Sequence, residues 1–286
     1  MRHRFPEWIK RRIPSGGSPV VKETLDELGL ATVCQSARCP NIHECFAAGT
    51  ATFLIMGKVC TRGCRFCAIP GGEPEALDAG EPARIAEAAA RLGLRHVVVT
   101  SVTRDDLDDG GSGHFAAVAR AIKAKTDATV EVLVPDFRGD RDCIRRVLES
   151  GVDIFNHNIE TVERLYADVR PGADYARSLA VLRAARESDP GRFTKSGIMV
   201  GLGETGDEVF EVMVDLRAAG CDIITIGQYL KPSAAHLPVA EFVHPDRFEK
   251  YGRAAKGLGF RSVTSGPFVR SSYHAAEVFF AAGING

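Results

Sequence analysis

Long apolar runs are missing from this chain. None reaches the ~18–20 residues that a helix needs to span a bilayer, so no membrane-crossing helix is expected. The N-terminus also lacks a hydrophobic signal-peptide core, and Glu7 with the want of a serine-rich, arginine-patterned leader disfavours a transit peptide. The expected location is the cytoplasm. Charge excess is absent too, with 36 Lys+Arg against 37 Asp+Glu and a formal net charge of −1. That balance argues against a general nucleic-acid binder, which neutralises many phosphates with basic side chains. One local excess is the opening RHRFPEWIKRR, with Arg2, Arg4, Lys10, Arg11 and Arg12. It reads as a solvated arm or, more sharply, as a docking element for an acidic partner protein. No low-complexity linker marks a second domain, and 45% hydrophobic with 26% charged residues is ordinary for a globular protein.

From residue 51 onward, β-rich runs alternate with amphipathic helical ones. The strand candidates are TFLIMG (52–57), HVVVTS (96–101), TVEVLVPD (129–136), VDIFNHNIE (152–160), TKSGIMVGLG (194–203) and DIITIGQYL (222–230), with RSVTSG near the end as a further one. Between them lie runs with apolar residues at helical spacing, two of them stopped by Gly151 and Gly220. Strict alternation implies a parallel sheet. The expected fold is α/β: a partial (β/α)6-type TIM barrel, with functional groups at the C-terminal ends of its strands. Residues 1–50 lack this rhythm beyond a helix at VKETLDELGL, and form an N-terminal extension that carries cysteines. The expected division is 1–50 extension, 51–230 barrel and 231–286 C-terminal extension, the tail closing the barrel.

Cysteine is the residue in excess. The chain has eight, and six fall between residues 34 and 67. In a reducing compartment such a cluster binds metal or reacts rather than pairing as disulfides. The six form two triplets: Cys34, Cys39 and Cys45 with spacing C-x4-C-x5-C, then Cys60, Cys64 and Cys67 with spacing C-x3-C-x2-C. A fully ligated iron–sulfur cubane takes four thiolates, so three leave one iron with an open position. Open positions distinguish catalytic from structural metal sites. Six thiolates exceed one cluster's needs, and two clusters with three cysteines each is the economical count. A three-cysteine zinc site completed by a distant histidine is the alternative, but zinc fingers favour paired spacings. A fourth donor for the first triplet could be His43, Glu44 or a distant serine.

CTRGCRFC, with Phe66 before its last cysteine, resembles the signature of the radical S-adenosylmethionine (SAM) superfamily. That resemblance implies a 4Fe–4S cluster whose open iron is chelated by SAM, which is cleaved to a 5′-deoxyadenosyl radical. The pair of triplets, with RSSY standing at Arg270, Ser271, Ser272 and Tyr273, resembles the lipoyl synthase family. Segments in the expected order, among them TSVTRDDL, VPDFRGD, VRPGADYARSL and GQYLKPSAAHLPV, extend the likeness over nearly the whole chain; Phe46 stands where tryptophan is expected. The family implies Ser272 as fourth ligand of an auxiliary, sacrificial 4Fe–4S cluster; the residues alone do not choose between the two serines. Alkoxide is a harder ligand than thiolate, which suits a cluster that must come apart.

The resemblance further implies insertion of two sulfurs, at C6 and C8, into an octanoyl group carried on a lysine of a lipoyl carrier domain. The implied partners are octanoylated carriers (the acyltransferase subunit of 2-oxoacid dehydrogenases, the glycine cleavage H protein) and a ferredoxin or flavodoxin electron donor. In FNHNIE, Asn156, Asn158 and Glu160 would share one strand face and bind SAM's ribose, or else form an internal hydrogen-bond network. Thr100, Ser101, Glu204 and Gln228 are further strand-end candidates, whereas Cys143 and Cys221 read as buried structural thiols. Rival readings are a biotin synthase-like enzyme and a non-catalytic iron–sulfur or zinc protein.

Overall fold

The computed structural model describes residues 5–10, 19–36, 39, 41–47 and 51–272. Helix α1 (Pro19–Glu27) leads into strand β1 (Ala31–Thr32), which is followed by short helices α2 (Val33–Ser36) and α3 (Ile42–Ala47). The alternating portion then runs β2 (Thr52–Ile55), α4 (Glu81–Arg91), β3 (His96–Ser101), α5 (Ser112–Lys125), β4 (Thr129–Leu133), α6 (Arg141–Leu148) and β5 (Ile154–Asn156). It continues with α7 (Tyr166–Val169), α8 (Tyr175–Ser188), β6 (Phe193–Val200), α9 (Gly206–Ala218), β7 (Ile223–Gln228), α10 (Pro245–Gly257) and β8 (Ser262–Gly266). Among the described residues these strands form one sheet in chain order, β1 antiparallel to β2 and every later neighbour parallel. Helix after strand after helix in one direction is the connectivity that curls a sheet into a barrel.

The inner strands are buried on both faces, as a sheet covered by helices requires: Thr52–Ile55 and Ile223–Gln228 are buried throughout, whereas β8 at the sheet's edge is only half-buried. Gly151 and Gly220 take φ of +88° and +84°, the left-handed turn that ends α6 and α9. The N-terminal and C-terminal stretches each give the sheet a strand. Phe5 lies edge-on to Phe242 at 5.6 Å and Trp8 to His244 at 4.8 Å, so residues 5–10 pack on the segment before α10. Lys10 pairs with Glu7. Arg2, Arg4, Arg11 and Arg12 of the basic arm, and Tyr273, lie outside the described residues.

The sheet interior holds a buried ion pair. Lys195 on β6 places its Nζ 2.9 Å from both carboxylate oxygens of Glu131 on β4, and His96 on β3 lies 3.5 Å away. Burial pushes the Glu131 carboxyl up, but the Lys195 ammonium and His96 outweigh it and hold it down at about 2. Its folded pKa therefore lies below the ~4.3 of an unfolded glutamate. The stability this supplies is complete above that value and is lost as pH falls toward 2. Lys195→Met strands a buried carboxylate and is expected to cost about 3–5 kcal/mol in denaturant unfolding at neutral pH. An unchanged midpoint would refute it.

Candidate active site

Strand β2 ends at Ile55, and the chain leaves it through Met56 and Gly57, both at positive φ, into the loop that carries Cys60, Cys64 and Cys67. The loop is strapped on every side. Cys60 N–H donates to the Pro70 carbonyl and Gly72 N–H to the Cys60 carbonyl, both at 2.9 Å. Thr61 N–H donates to the Thr103 carbonyl beyond β3, and Arg65 N–H to the Val169 carbonyl at the end of α7. Arg62 reaches Asp105 at 2.6 Å and Asp136 at 2.8 Å, tying the loop to the ends of β3 and β4. Burial would raise the Asp136 carboxyl, but its bonds to Arg62 hold it well below the carboxylate range. From the C-terminal side, His236 Nε2 lies 2.9 Å from the Cys67 carbonyl, with Nδ1 against Ser233 Oγ at 2.8 Å. The amides of Arg62 and Thr103 both point at Cys60 Sγ, at 3.4 and 3.3 Å, and donors on a cluster's sulfur help set its potential.

The three thiols face a cavity of about 480 Å³ over the strand ends. Burial pushes Cys67 up to about 11 and raises Cys64, the latter opposed by the Arg170 guanidinium. Thiols held neutral in this way release protons when they take up iron. Asn158, Glu160 and Arg170 line the wall beside Cys64. Asn158 Nδ2 donates to Glu160 Oε1 at 3.0 Å. Glu160 has φ +67°, strained for a non-glycine residue, and burial raises its carboxyl against the pull of Arg170. Arg170 donates to the Asn158 and Ile159 carbonyls through Nη1, while its Nε has no partner. His157 Nδ1 donates to the Val134 carbonyl at 2.9 Å, so Nδ1 is its protonated nitrogen; Nε2 and Ser101 Oγ are buried without partners along the same wall. A Cβ at Gly197 would come within 2.8 Å of Thr225 Oγ1 and 2.9 Å of Asn158 Oδ1, so glycine keeps that wall open.

A second cavity, of about 20 Å³, is lined by Cys34, Cys39, Cys45 and Ser272, with Arg270 and Asn41. Cys34, Cys39, Arg270 and Ser272 line the large cavity as well, so the two sites adjoin. Asn41 Nδ2 donates to the Phe268 carbonyl at 2.7 Å and thereby joins the N-terminal stretch to residues 267–272. His43 is exposed and is absent from this lining. Among the described residues no three His, Cys, Asp or Glu side chains are placed to hold a single metal ion, and all eight cysteines are free of disulfides. Two sets of three soft thiol donors, one bordering a cavity with unpartnered polar atoms, fit iron–sulfur clusters.

The model of the radical SAM superfamily matches residues 54–216, and that of the N-terminal domain of lipoyl synthase matches residues 1–39. The chain is 60% identical over 272 residues to the lipoyl synthase of Caldanaerobacter subterraneus subsp. tengcongensis, covering 95% of this chain and 96% of that one. It is 56% identical over 278 residues to the lipoyl synthase of Rubrobacter xylanophilus, covering 96% and 87%. The chain belongs to the lipoyl synthase family. Solved structures agree on the fold alone: methylornithine synthase has a TM-score of 0.56 at 17% identity, covering 73% of this chain and 62% of that one. HydG, a maturase of the FeFe hydrogenase, has 0.59 at 14%, covering 86% and 66%. As a radical SAM lipoyl synthase family member, the chain is an enzyme that inserts sulfur and uses SAM with a 4Fe–4S cluster. Among the described residues no helix is long and apolar enough to cross a membrane.

For the lipoyl synthase fold, the sequence-derived site needs two adjustments. Asn156 does not share the cavity face of Asn158 and Glu160: β5 ends at Asn156, so strict alternation stops there. Its amide donates to Glu131 Oε1 and Ser271 Oγ, both at 2.8 Å. Glu204 is not at the wall either. Its carboxylate accepts from the Gly201 and Leu202 amides, at 2.6 and 2.9 Å. Thr100, Ser101 and Gln228 do line the cavity. Arg62, His157, Arg170 and His236 carry no local pattern in sequence, since their partners lie on distant strands. Arg62→Ala should free the cysteine loop by about 2 kcal/mol, the scale of a lost charged hydrogen bond. That is about 30-fold faster hydrogen exchange at the Thr61 and Arg65 amides in the full chain; unaltered exchange would show the strap is idle.

Proposed function

We propose that this chain is a lipoyl synthase that inserts sulfur at C6 and C8 of an octanoyl group held in amide linkage on a lysine of a lipoyl carrier domain. What supports this most is the adjacency of the two cysteine cavities: Cys34, Cys39, Cys45 and Ser272 border a small site that opens on the one bordered by Cys60, Cys64 and Cys67. In this reading the second triplet holds the SAM-binding cluster and the first holds an auxiliary 4Fe–4S cluster with Ser272 as fourth ligand. When bound, the SAM-binding cluster with SAM supplies a 5′-deoxyadenosyl radical for hydrogen abstraction, and the auxiliary cluster supplies sulfur.

The chain's own residues position and exclude. Arg170, a buried cation with an unpartnered Nε beside Cys64, takes the carboxylate of SAM, and Asn158 with Glu160 takes the ribose hydroxyls. Asn156 acts one step behind them, by holding residue 271. The enclosing segments keep water and bystander groups from a reactive radical. Three parts divide this labour: residues 1–50 bring the first triplet, 51–230 the barrel and 231–286 the closing arm. The carriers served are the acyltransferase subunit of 2-oxoacid dehydrogenases and the glycine cleavage H protein, with ferredoxin or flavodoxin as electron donor, in the cytoplasm.

The test is anaerobic. Both clusters are reconstituted, SAM, reductant and an octanoyl-lysine peptide are added, and the peptide is weighed. Gain of two sulfurs with 5′-deoxyadenosine is the expected result. Deoxyadenosine without sulfur gain would leave the superfamily assignment standing and remove the substrate.

A further inference from the structure

Ser271 and Ser272 are neighbours with opposite surroundings. Ser272 borders the small cysteine cavity. The Ser271 hydroxyl accepts from Asn156 Nδ2 at 2.8 Å and donates to Asn158 Oδ1 at 3.2 Å. Asn156 gives its other amide hydrogen to Glu131 Oε1, the carboxylate paired with Lys195. An unbroken chain of hydrogen bonds thus runs from the ion pair in the sheet interior, through Asn156 and Ser271, to Asn158 and Glu160. The backbone is fixed at the same place: a Cβ on Gly227 of β7 would fall 2.1 Å from the Val269 carbonyl, so residues 267–272 lie directly on that glycine.

From this we infer that Ser271 is a positioning residue that registers the C-terminal arm on the sheet interior, so that the next side chain, Ser272, is delivered to the first cysteine triplet. A serine side chain spans only two bonds from the backbone. A shift of one residue or a small rotation of the arm would carry the Ser272 hydroxyl away from that cavity. Two anchors suppress both motions: the Ser271 hydroxyl with its committed donor and acceptor, and the contact on Gly227. The inference rests on Ser272 being a ligand of the auxiliary cluster, and its test separates the two.

Full-length wild type, Ser271→Ala, Ser271→Thr, Gly227→Ala and Ser272→Ala are reconstituted and compared by Mössbauer spectroscopy, for an oxygen-ligated iron, and by hydrogen exchange over residues 267–272. Ser271→Ala is expected to lose the oxygen-ligated iron as fully as Ser272→Ala while keeping the Cys60 cluster, and to exchange the arm about tenfold faster. Ser271→Thr, which keeps the hydroxyl, restores both. Gly227→Ala repeats the loss without touching either serine. Retention of the oxygen-ligated iron and of arm protection in Ser271→Ala, with their loss in Ser272→Ala, overturns the positioning role and leaves the ligand in place. An unaltered signature in Ser272→Ala removes the ligand, and the inference with it.

Discussion

Cys64→Ala brings 5′-deoxyadenosine formation down at least about 1000-fold, a rise of about 4 kcal/mol in barrier, and sulfur gain falls with it. The loop offers three thiols and no spare. The charged side chains that act on Cys64 are Arg170, which has no lone pair to give, and Glu160, whose carboxyl is raised by burial and bonded to Asn158. Neither replaces a soft thiolate. Cys60→Ala and Cys67→Ala behave alike, because each thiol lines the same cavity. Cys143 and Cys221 serve as internal controls: their sulfurs sit against the carbonyls of Asp109 and Ile223, far from the cysteine loop in role, and their alanine variants keep cleavage. An anaerobic chromatographic assay decides it. A Cys64→Ala protein that keeps a tenth of the cleavage rate would remove the loop as cluster holder.

Cys39→Ala separates the two halves of the chemistry. It borders both cavities, but it does not belong to the loop that binds SAM in this reading. Cleavage of SAM persists, while transfer of sulfur to the octanoyl peptide falls below about one part in 1000, since the atoms to be transferred have no holder. Cys34→Ala and Cys45→Ala give the same division. Mass spectrometry of the peptide beside chromatography of the nucleoside reads both outcomes in one reaction. Sulfur gain in any of these variants at a tenth of the wild-type level would show that the sulfur comes from elsewhere.

Both experiments address features legible in the sequence, because spacing is local. C-x3-C-x2-C needs no tertiary information, and runs such as HVVVTS and DIITIGQYL become β3 and β7 with bounds shifted by at most a couple of residues. RSVTSG becomes β8 because its neighbour β7 offers an open parallel edge. The departures have a shared cause. Period-two alternation places Asn156, Asn158 and Glu160 together only while the strand lasts, and β5 stops at Asn156. Beyond it Glu160 touches β6 through an isolated bridge to Ile198 and turns at positive φ. Glu204 looked like a strand-end polar group, but it is spent on two turn amides. Arg170 lay in plain view within VRPGADY. Nothing in six neighbouring letters tells an arginine bound for a buried wall from one bound for water. The different surroundings of Ser271 and Ser272 were likewise closed to the sequence; they depend on Asn156 and Asn158, more than a hundred residues upstream, as the hydrogen-bond partners of Ser271 alone of the two.

The small cavity also imposes an order in time. Its cysteines, Cys34, Cys39 and Cys45, are made well before its serine, Ser272. A growing chain can complete β2 and the loop of Cys60, Cys64 and Cys67 well before β8 exists, yet it cannot close the second site until Arg270 and Ser272 have been made. A chain stopped short of Arg270 would keep Cys60, Cys64 and Cys67 and lack the part of both cavity walls that Arg270 and Ser272 form. Building one cavity from residues so far apart in the chain makes synthesis of residues 270–272 a condition for closing it.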